Sequence, residues 1–265
     1  MKISELMDMK GRVALITGGA GYIGFSIAEA LAEAGADIVL LDFNTEICKE
    51  KSSILEKHYG VKVLPLRCDL EKSEDIEESV SRVQDEFGRL DVVVNCAALV
   101  GTSGVKGWAV PLIDQSIDTW RRALEVNLTA PFYLIQKSIP LLSQSHNASI
   151  INVGSIYGFA GMDMSLYEGL DYITPAAYAA SKGGLTQLTK YLATALAPDI
   201  RVNTLSPGGI ERGQSESFQE RYCRKTPLNR MGTEVDLKGA ALFLASDMSA
   251  YVTGQNIIVD GGWSV

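Results

Sequence analysis

R-V-A-L-I-T-G-G-A-G-Y-I-G (12–24) runs from a short apolar, β-rich segment straight into a glycine-rich turn. The next residues place Ile23, Ile27, Ala30, Leu31 and Ala34 on one face of a helix that Gly35 stops. A second apolar run, D-I-V-L-L-D (37–42), ends in Asp42. The order is strand, glycine turn, helix, strand, acid. Glycines at 18, 21 and 24 let the backbone come close to a pyrophosphate, and a helix N-terminus offers free N–H groups and a positive dipole end. Gly18, Gly21, Tyr22, Ile23 and Gly24 are therefore expected to hold a dinucleotide. Asp42 is expected to accept hydrogen bonds from the adenosine ribose. A carboxylate there repels the extra phosphate of NADP, and no Lys or Arg lies between Gly18 and Asp42 to neutralise it. The expected cofactor is NAD.

The same alternation continues to the end of the chain. Further strands are predicted at 61–66, 90–95, 148–154, 200–205 and 255–260. Helices are predicted near 44–59, 73–87, 116–143, 175–197 and 233–246. Strands separated by helices specify an α/β, doubly wound fold: a parallel seven-stranded sheet with helices on both faces. A length of 265 residues suits one domain, 1–265. Segments 99–115, 158–174 and 209–226 follow strands without a clear pattern of their own, the last with some helical character. They are expected at the C-terminal sheet edge, where ligands bind, with 158–174 and 209–226 as substrate loops.

Composition excludes several classes of function. A net charge of −8 and scattered basic residues argue against nucleic acid. No apolar stretch is long enough to span a membrane, and the charged N-terminus carries no secretory signal. Four cysteines without metal-type spacing imply reduced thiols and a cytoplasmic protein. With only two histidines, a His-based zinc site or a Ser-His-Asp triad is not expected, and no metal is assigned.

In Y-A-A-S-K (178–182), Tyr178 and Lys182 lie about one helical turn apart and share a face. A phenol with a pKa near ~10 is a poor base at neutral pH, and a neighbouring ammonium lowers that value. Ser155, upstream at the end of an apolar run, adds a hydroxyl for the oxygen being oxidised or reduced. This is proton-transfer chemistry for an alcohol or a carbonyl. Taken alone the pair is ambiguous, because Tyr133 and Lys137 repeat the spacing.

Over essentially its full length the chain resembles the short single-domain branch of the short-chain dehydrogenase/reductase family. The resemblance rests on T-G-G-A-G-Y-I-G (17–24), Asp69-Leu70, N-C-A-A (95–98), Asn127 in E-V-N-L, Ser155, Tyr178 and Lys182, Pro207-Gly208, and T-G-Q-N-I-I-V-D-G-G (253–262). It implies a Rossmann fold and a catalytic set of Asn127, Ser155, Tyr178 and Lys182. Tyr178 is then the general acid/base, and Lys182 lowers its pKa and binds the nicotinamide ribose. Ser155 orients the substrate oxygen. Asn127 holds a proton-relaying water through its backbone carbonyl at a helix irregularity. Asp69 and Leu70 are expected beside adenine, Asn95 and Ala97 along the cofactor-side strand, and Pro207, Gly208 and Ile210 near the nicotinamide. The resemblance also implies self-association as a homotetramer or homodimer, through 256–259 and the Asn127 helix, and a small-molecule substrate. It sets Tyr133 and Lys137 aside, one element too early.

The chain departs from the family pattern at four places. Tyr22 stands where the short branch has its second glycine, a spacing shared with nucleotide-sugar epimerases and dehydratases. Cys96 and Ala98 replace Asn and Gly. Ser155 and Tyr178 are more widely separated than usual, and the extra residues (162–172) are expected to form a loop over the substrate. Arg212 occupies the place of a Thr that contacts the nicotinamide amide. Arg212 or Arg224 is expected to meet an anionic substrate group, and Tyr167 or Glu168 to bind hydroxyls. The expected function is an NAD(H)-dependent interconversion of a secondary alcohol and a ketone, on a sugar-like substrate. Two alternatives are an epimerase or dehydratase with tightly bound NAD, and a non-catalytic NAD-binding protein.

Overall fold

The computed structural model describes residues 2–100 and 103–265. After a one-turn helix, α1 (Ile3–Leu6), the chain forms β1 (Val13–Thr17), α2 (Tyr22–Glu33), β2 (Asp37–Asp42), α3 (Thr45–Tyr59), β3 (Val63–Arg67), α4 (Ser73–Phe87) and β4 (Val92–Asn95). The second half runs α5 (Ile117–Leu124), a π-turn (Glu125–Thr129), α6 (Ala130–Leu142), β5 (Ala148–Val153), α7 (Ala176–Ala195), β6 (Ile200–Pro207), α8 (Glu216–Lys225), α9 (Val235–Ala245) and β7 (Asn256–Val259). The seven strands form one parallel sheet in the order β3-β2-β1-β4-β5-β6-β7. The order reverses between β1 and β4, which opens a crevice at the C-terminal sheet edge.

Successive strand residues point to opposite faces, so each strand feeds two cores. Ala14 and Ile16 of β1 pack with Ile27, Leu31, Leu55 and Leu244 on one side. Val13 and Leu15 pack with Ile76, Val83, Leu134 and Leu192 on the other. Pro65 lies inside β3. It is tolerated because β3 is an edge strand, where one row of N–H groups has no partner strand.

The sequence pattern places the seven strands and the helices other than α1 and α8 to within a few residues. Two local differences matter for function. The helix expected over 116–143 is interrupted at Glu125–Thr129, where the turn widens around the buried Asn127. Segment 209–226 contains a full helix, α8, capped by the Ser215 side chain, which accepts from Phe218 N. Phe218 and Tyr222 on its inner face join Tyr167, Met231 and Trp263 in a separate aromatic cluster above the sheet edge. Segment 158–174 contributes a short 3₁₀ turn, Met164–Tyr167. Of 99–115, residues 101–102 lie outside the described residues.

Candidate active site

The crevice holds a cavity of about 750 Å³ lined by Gly18, Gly21, Tyr22, Ile23, Gly24, Asp42, Asp69, Leu70 and Ala97. These are residues that the glycine-turn pattern and the family resemblance assign to the dinucleotide. The turn needs its glycines for steric reasons. A Cβ on Gly24 would stand 2.1 Å from the Gly18 carbonyl oxygen, and one on Gly18 would press on the Ala97 backbone at 2.9 Å. Gly18 also takes φ +63°. Thr17 accepts from the Cys96 and Ala97 N–H groups at 3.0 and 3.2 Å, which brings β4 against the turn. At the start of α2 no side chain caps the free N–H groups, and the first turn holds no acid. These features suit a pyrophosphate. Asp42 lies at the cavity mouth, its carboxylate held by Ala20 N and Asn44 N, both at 3.2 Å. The residues present therefore fit a nicotinamide dinucleotide, which when bound supplies or takes up the hydride.

A second cavity, about 520 Å³, adjoins the first and shares Ile23, Cys96, Ala98, Val100 and Arg212 with it. Ser155, Tyr178, Lys182, Pro207, Gly208 and Ile210 line it. Ser155 sits just beyond β5 as the cap of a 3₁₀ turn, and Tyr178 and Lys182 project from α7. Three elements distant in the chain thus present a hydroxyl, a phenol and an amine to one space. Tyr133 and Lys137 are not there: both bond Glu77 on the outer surface.

Asn127 and Asn95 lie just behind the cavities. The Asn127 side chain accepts from Leu99 N at 2.8 Å and donates to Leu99 O and Ser181 Oγ at 3.2 and 3.0 Å. It ties the loop after β4 to α7, and the surrounding π-turn is the irregularity expected at this residue. Asn95 donates to Asn152 Oδ1 at 2.8 Å and links β4 to β5.

The electrostatics differ from the expectation for Tyr178. Burial raises the phenol above its ordinary value. Ser155 pulls it back down, Cys96 adds to the rise, and Arg212 opposes it. Burial also lowers the Lys182 ammonium to about 8. Lys182 Nζ donates to Val153 O at 2.7 Å and lies 5.8 Å from the centre of the Tyr178 ring. The lysine is thus satisfied by a main-chain carbonyl, and desolvation disfavours the charged form of both groups. The predicted depression of the phenol far below ~10 is not found.

A pH dependence follows from these signs. The neutral phenol is the acid for ketone reduction, so reduction should stay level as pH rises through about 8 and fall only near or above ~10. Alcohol oxidation needs the phenolate and should climb over the same range. Single-turnover rates measured in both directions check this. A reduction rate already falling between about pH 7 and 8 would contradict it.

Of the residues expected to meet the substrate, Arg212 and Tyr167 reach the cavity, and Arg224 and Glu168 do not. Arg224 is exposed on α8 and faces Glu220 at 3.7 Å. Glu168 does not line the cavity, although Tyr167 does. Arg212 borders both cavities, but its guanidinium lies 4.5 Å over the Tyr22 ring and its Nε bonds Glu234 at 3.1 Å. The side chain lies where the two cavities meet, with its Nε paired and its two terminal NH2 groups without a protein hydrogen-bond partner among the described residues. Sequence reasoning missed Tyr157, Thr174, Phe218, Tyr222 and Met231, all of which line the inner cavity. The i, i+4 aromatic pair Phe218 and Tyr222 was a usable signal. Nothing local pointed to the others.

A crevice built for a dinucleotide, opening onto a hydroxyl-phenol-amine wall, defines an oxidoreductase of alcohol and ketone groups. Comparison with known proteins makes the assignment specific. The family described as enoyl-(acyl carrier protein) reductase, adh_short_C2, matches residues 18–264. Sorbose reductase SOU1 of Candida albicans is 32% identical over 268 aligned residues, covering 99% of this chain and 90% of that protein. The NADPH-dependent 3-quinuclidinone reductase of Rhodotorula rubra superposes with a TM-score of 0.87 at 32% identity, covering 99% of this chain and 94% of the other. An NAD⁺-bound xylitol dehydrogenase gives a TM-score of 0.84 at 29% identity over 96% and 99% of the two chains. The chain belongs to the short-chain dehydrogenase/reductase family. It acts on alcohol and ketone groups, with a nicotinamide dinucleotide as cofactor and a small molecule as substrate.

Proposed function

We propose that the protein is an NAD(H)-dependent dehydrogenase that interconverts a secondary alcohol and a ketone on a sugar-like substrate. The observation that carries this reading is the placement of Ser155, Tyr178 and Lys182 on one cavity that adjoins the glycine-turn cavity. Tyr178 gives or takes the proton, and Ser155 holds the reacting oxygen. Lys182 binds the nicotinamide ribose and anchors the Tyr178 helix to β5. Asn127 keeps the π-turn open so that its backbone carbonyl holds a relaying water. Asp42 selects NAD. Among the compared proteins, one is named for the sugar sorbose and one for the polyol xylitol, which supports a hydroxylated substrate. Names of reductase and dehydrogenase type favour net oxidation or reduction over epimerisation or binding alone.

Residues 1–265 act as one domain in this reading, and the protein works in the cytoplasm. No helix among the described residues is long and apolar enough to cross a membrane. Self-association is proposed through the β7 edge and the α5–α6 face, where Ile258 and Phe132 are exposed. Light scattering at micromolar protein checks it, with a lone monomer as the contrary result. The reaction is tested by following NADH absorbance with sugars, polyols and simple secondary alcohols, and with the matching ketones in reverse. Turnover of a substrate with no net change in NADH would restore the epimerase alternative.

A further inference from the structure

The inner cavity contains a row of hydroxyls that the proton-transfer set does not use. Thr174 Oγ1 and Tyr167 Oη are 2.6 Å apart, and Tyr167 Oη and Tyr157 Oη are 3.4 Å apart. All three residues line the same space as Ser155 and Tyr178. The phenols are held from behind. Tyr157 meets Trp263 edge-on at 6.0 Å between ring centres, and Tyr167 is tilted on Phe218 at 5.5 Å. Trp263 stacks in turn on Tyr222 at 5.9 Å. Each hydroxyl carries one donor and two lone pairs. The two contacts consume two of the three donors, so one O–H and several lone pairs stay open to the cavity. Nothing in the hydride and proton steps requires them.

The charge of the wall is equally informative. Among the described residues, no carboxylate lines this cavity, and its only cations are Lys182 and Arg212. Lys182 is bonded to the Val153 carbonyl and Arg212 to Glu234. A carboxylate brought in by a substrate would lose its water and meet only cations that already hold a protein partner. A cationic substrate would find no counter-charge. A neutral molecule with several hydroxyls pays neither penalty, and its second oxygen finds a partner in the phenol row.

We propose that Thr174, Tyr167 and Tyr157 form the specificity-determining subsite for a second hydroxyl of an uncharged polyol or ketose, whose first oxygen reacts beside Ser155 and Tyr178. This rests on the oxidoreductase reading of the same cavity and adds the substrate class. Tyr157 bears the open end of the row, and Tyr167 and Thr174 hold its direction.

The test compares kcat/KM for a neutral polyol with that for cyclohexanol, which has one hydroxyl, in the wild type and in Tyr157→Phe and Tyr167→Phe. Gluconate serves as the anionic probe. The expected result is a polyol-to-cyclohexanol ratio about tenfold lower in Tyr157→Phe, as for the loss of one hydrogen bond in a dry site. Tyr167→Phe should lower it similarly, and the wild type should prefer the neutral polyol to gluconate. Tyr167 belongs to the aromatic cluster, so Thr174→Val supplies an independent variant should Tyr167→Phe fold poorly. An unchanged ratio in Tyr157→Phe and in either partner variant overturns the subsite, as does preferential turnover of gluconate. Either result leaves the alcohol/ketone chemistry standing. Failure of the wild type to turn over every alcohol and ketone offered would overturn both readings.

Discussion

Tyr178→Phe is expected to lower kcat by about 10²–10⁴-fold while leaving dinucleotide affinity nearly unchanged. The substitution keeps the ring, and hence its packing in α7, and removes only the group that exchanges a proton with the substrate oxygen. Ser155 remains to hold that oxygen, so substrate binding should suffer less than turnover. Tyr133→Phe is the matched control. Its hydroxyl is bonded to Glu77 on an exposed face and lines neither cavity, and the loss should be small. Steady-state kinetics and a fluorescence titration with NADH separate the two quantities. An active Tyr178 variant beside an inactive Tyr133 variant would reverse the assignment of the site.

The second large effect concerns the choice of dinucleotide. NADPH is expected to bind more weakly than NADH by about 2–4 kcal/mol, roughly 30- to 1000-fold. The cause is Asp42, fixed at the cavity mouth by two backbone N–H groups. Lys72, Arg122 and Arg212 line the cavity, but each is paired, with Asp69, Glu71 and Glu234 in turn, and a further cation lies beside Asp42. Arg67 lies opposite Asp42 in the parallel register, its guanidinium 5.0 Å over the Phe43 ring. But Arg67 is paired with Asp75 at 3.2 Å and does not line the cavity, whereas Asp42 does. The carboxylate should therefore dominate, although relatives of both cofactor types exist. Asp42→Ala should narrow the difference by removing the repulsion. Calorimetric titration of both proteins with both dinucleotides decides it. Equal wild-type affinities would remove Asp42 as the selector.

Much of the molecule was legible without coordinates because its signals are local. The run from Arg12 to Asp42 contains a complete strand, turn, helix and strand, and Gly21 and Gly24 answer to the Gly18 carbonyl a few residues away. Strand and helix periodicities depend on a few adjacent residues, so the seven strands and the helices other than α1 and α8 are readable from local pattern. The π-turn around Asn127 was anticipated through the family resemblance rather than through periodicity, which reads 116–143 as one helix.

What the tertiary structure decided depends on residues far apart in the chain. Two Tyr/Lys pairs have identical spacing; the family resemblance separates them, and the fold shows the physical difference by sending one into a cavity and the other to Glu77. The depth of Tyr178 and Lys182 set the direction of their pKa shifts, because burial disfavours the charged form of each. Arg212 borders the cavity, and the fold sets Glu234 before α9 and Tyr22 of α2 beside it. The phenol row joins Tyr157 after β5 to Tyr167 and Thr174 in the loop before α7, braced by Trp263 near the end of the chain. The sequence determined which elements form, because propensity, periodicity and glycine geometry act over a few residues. Tertiary structure alone decided which side chains share a desolvated space, because burial and pairing are properties of the assembled layers.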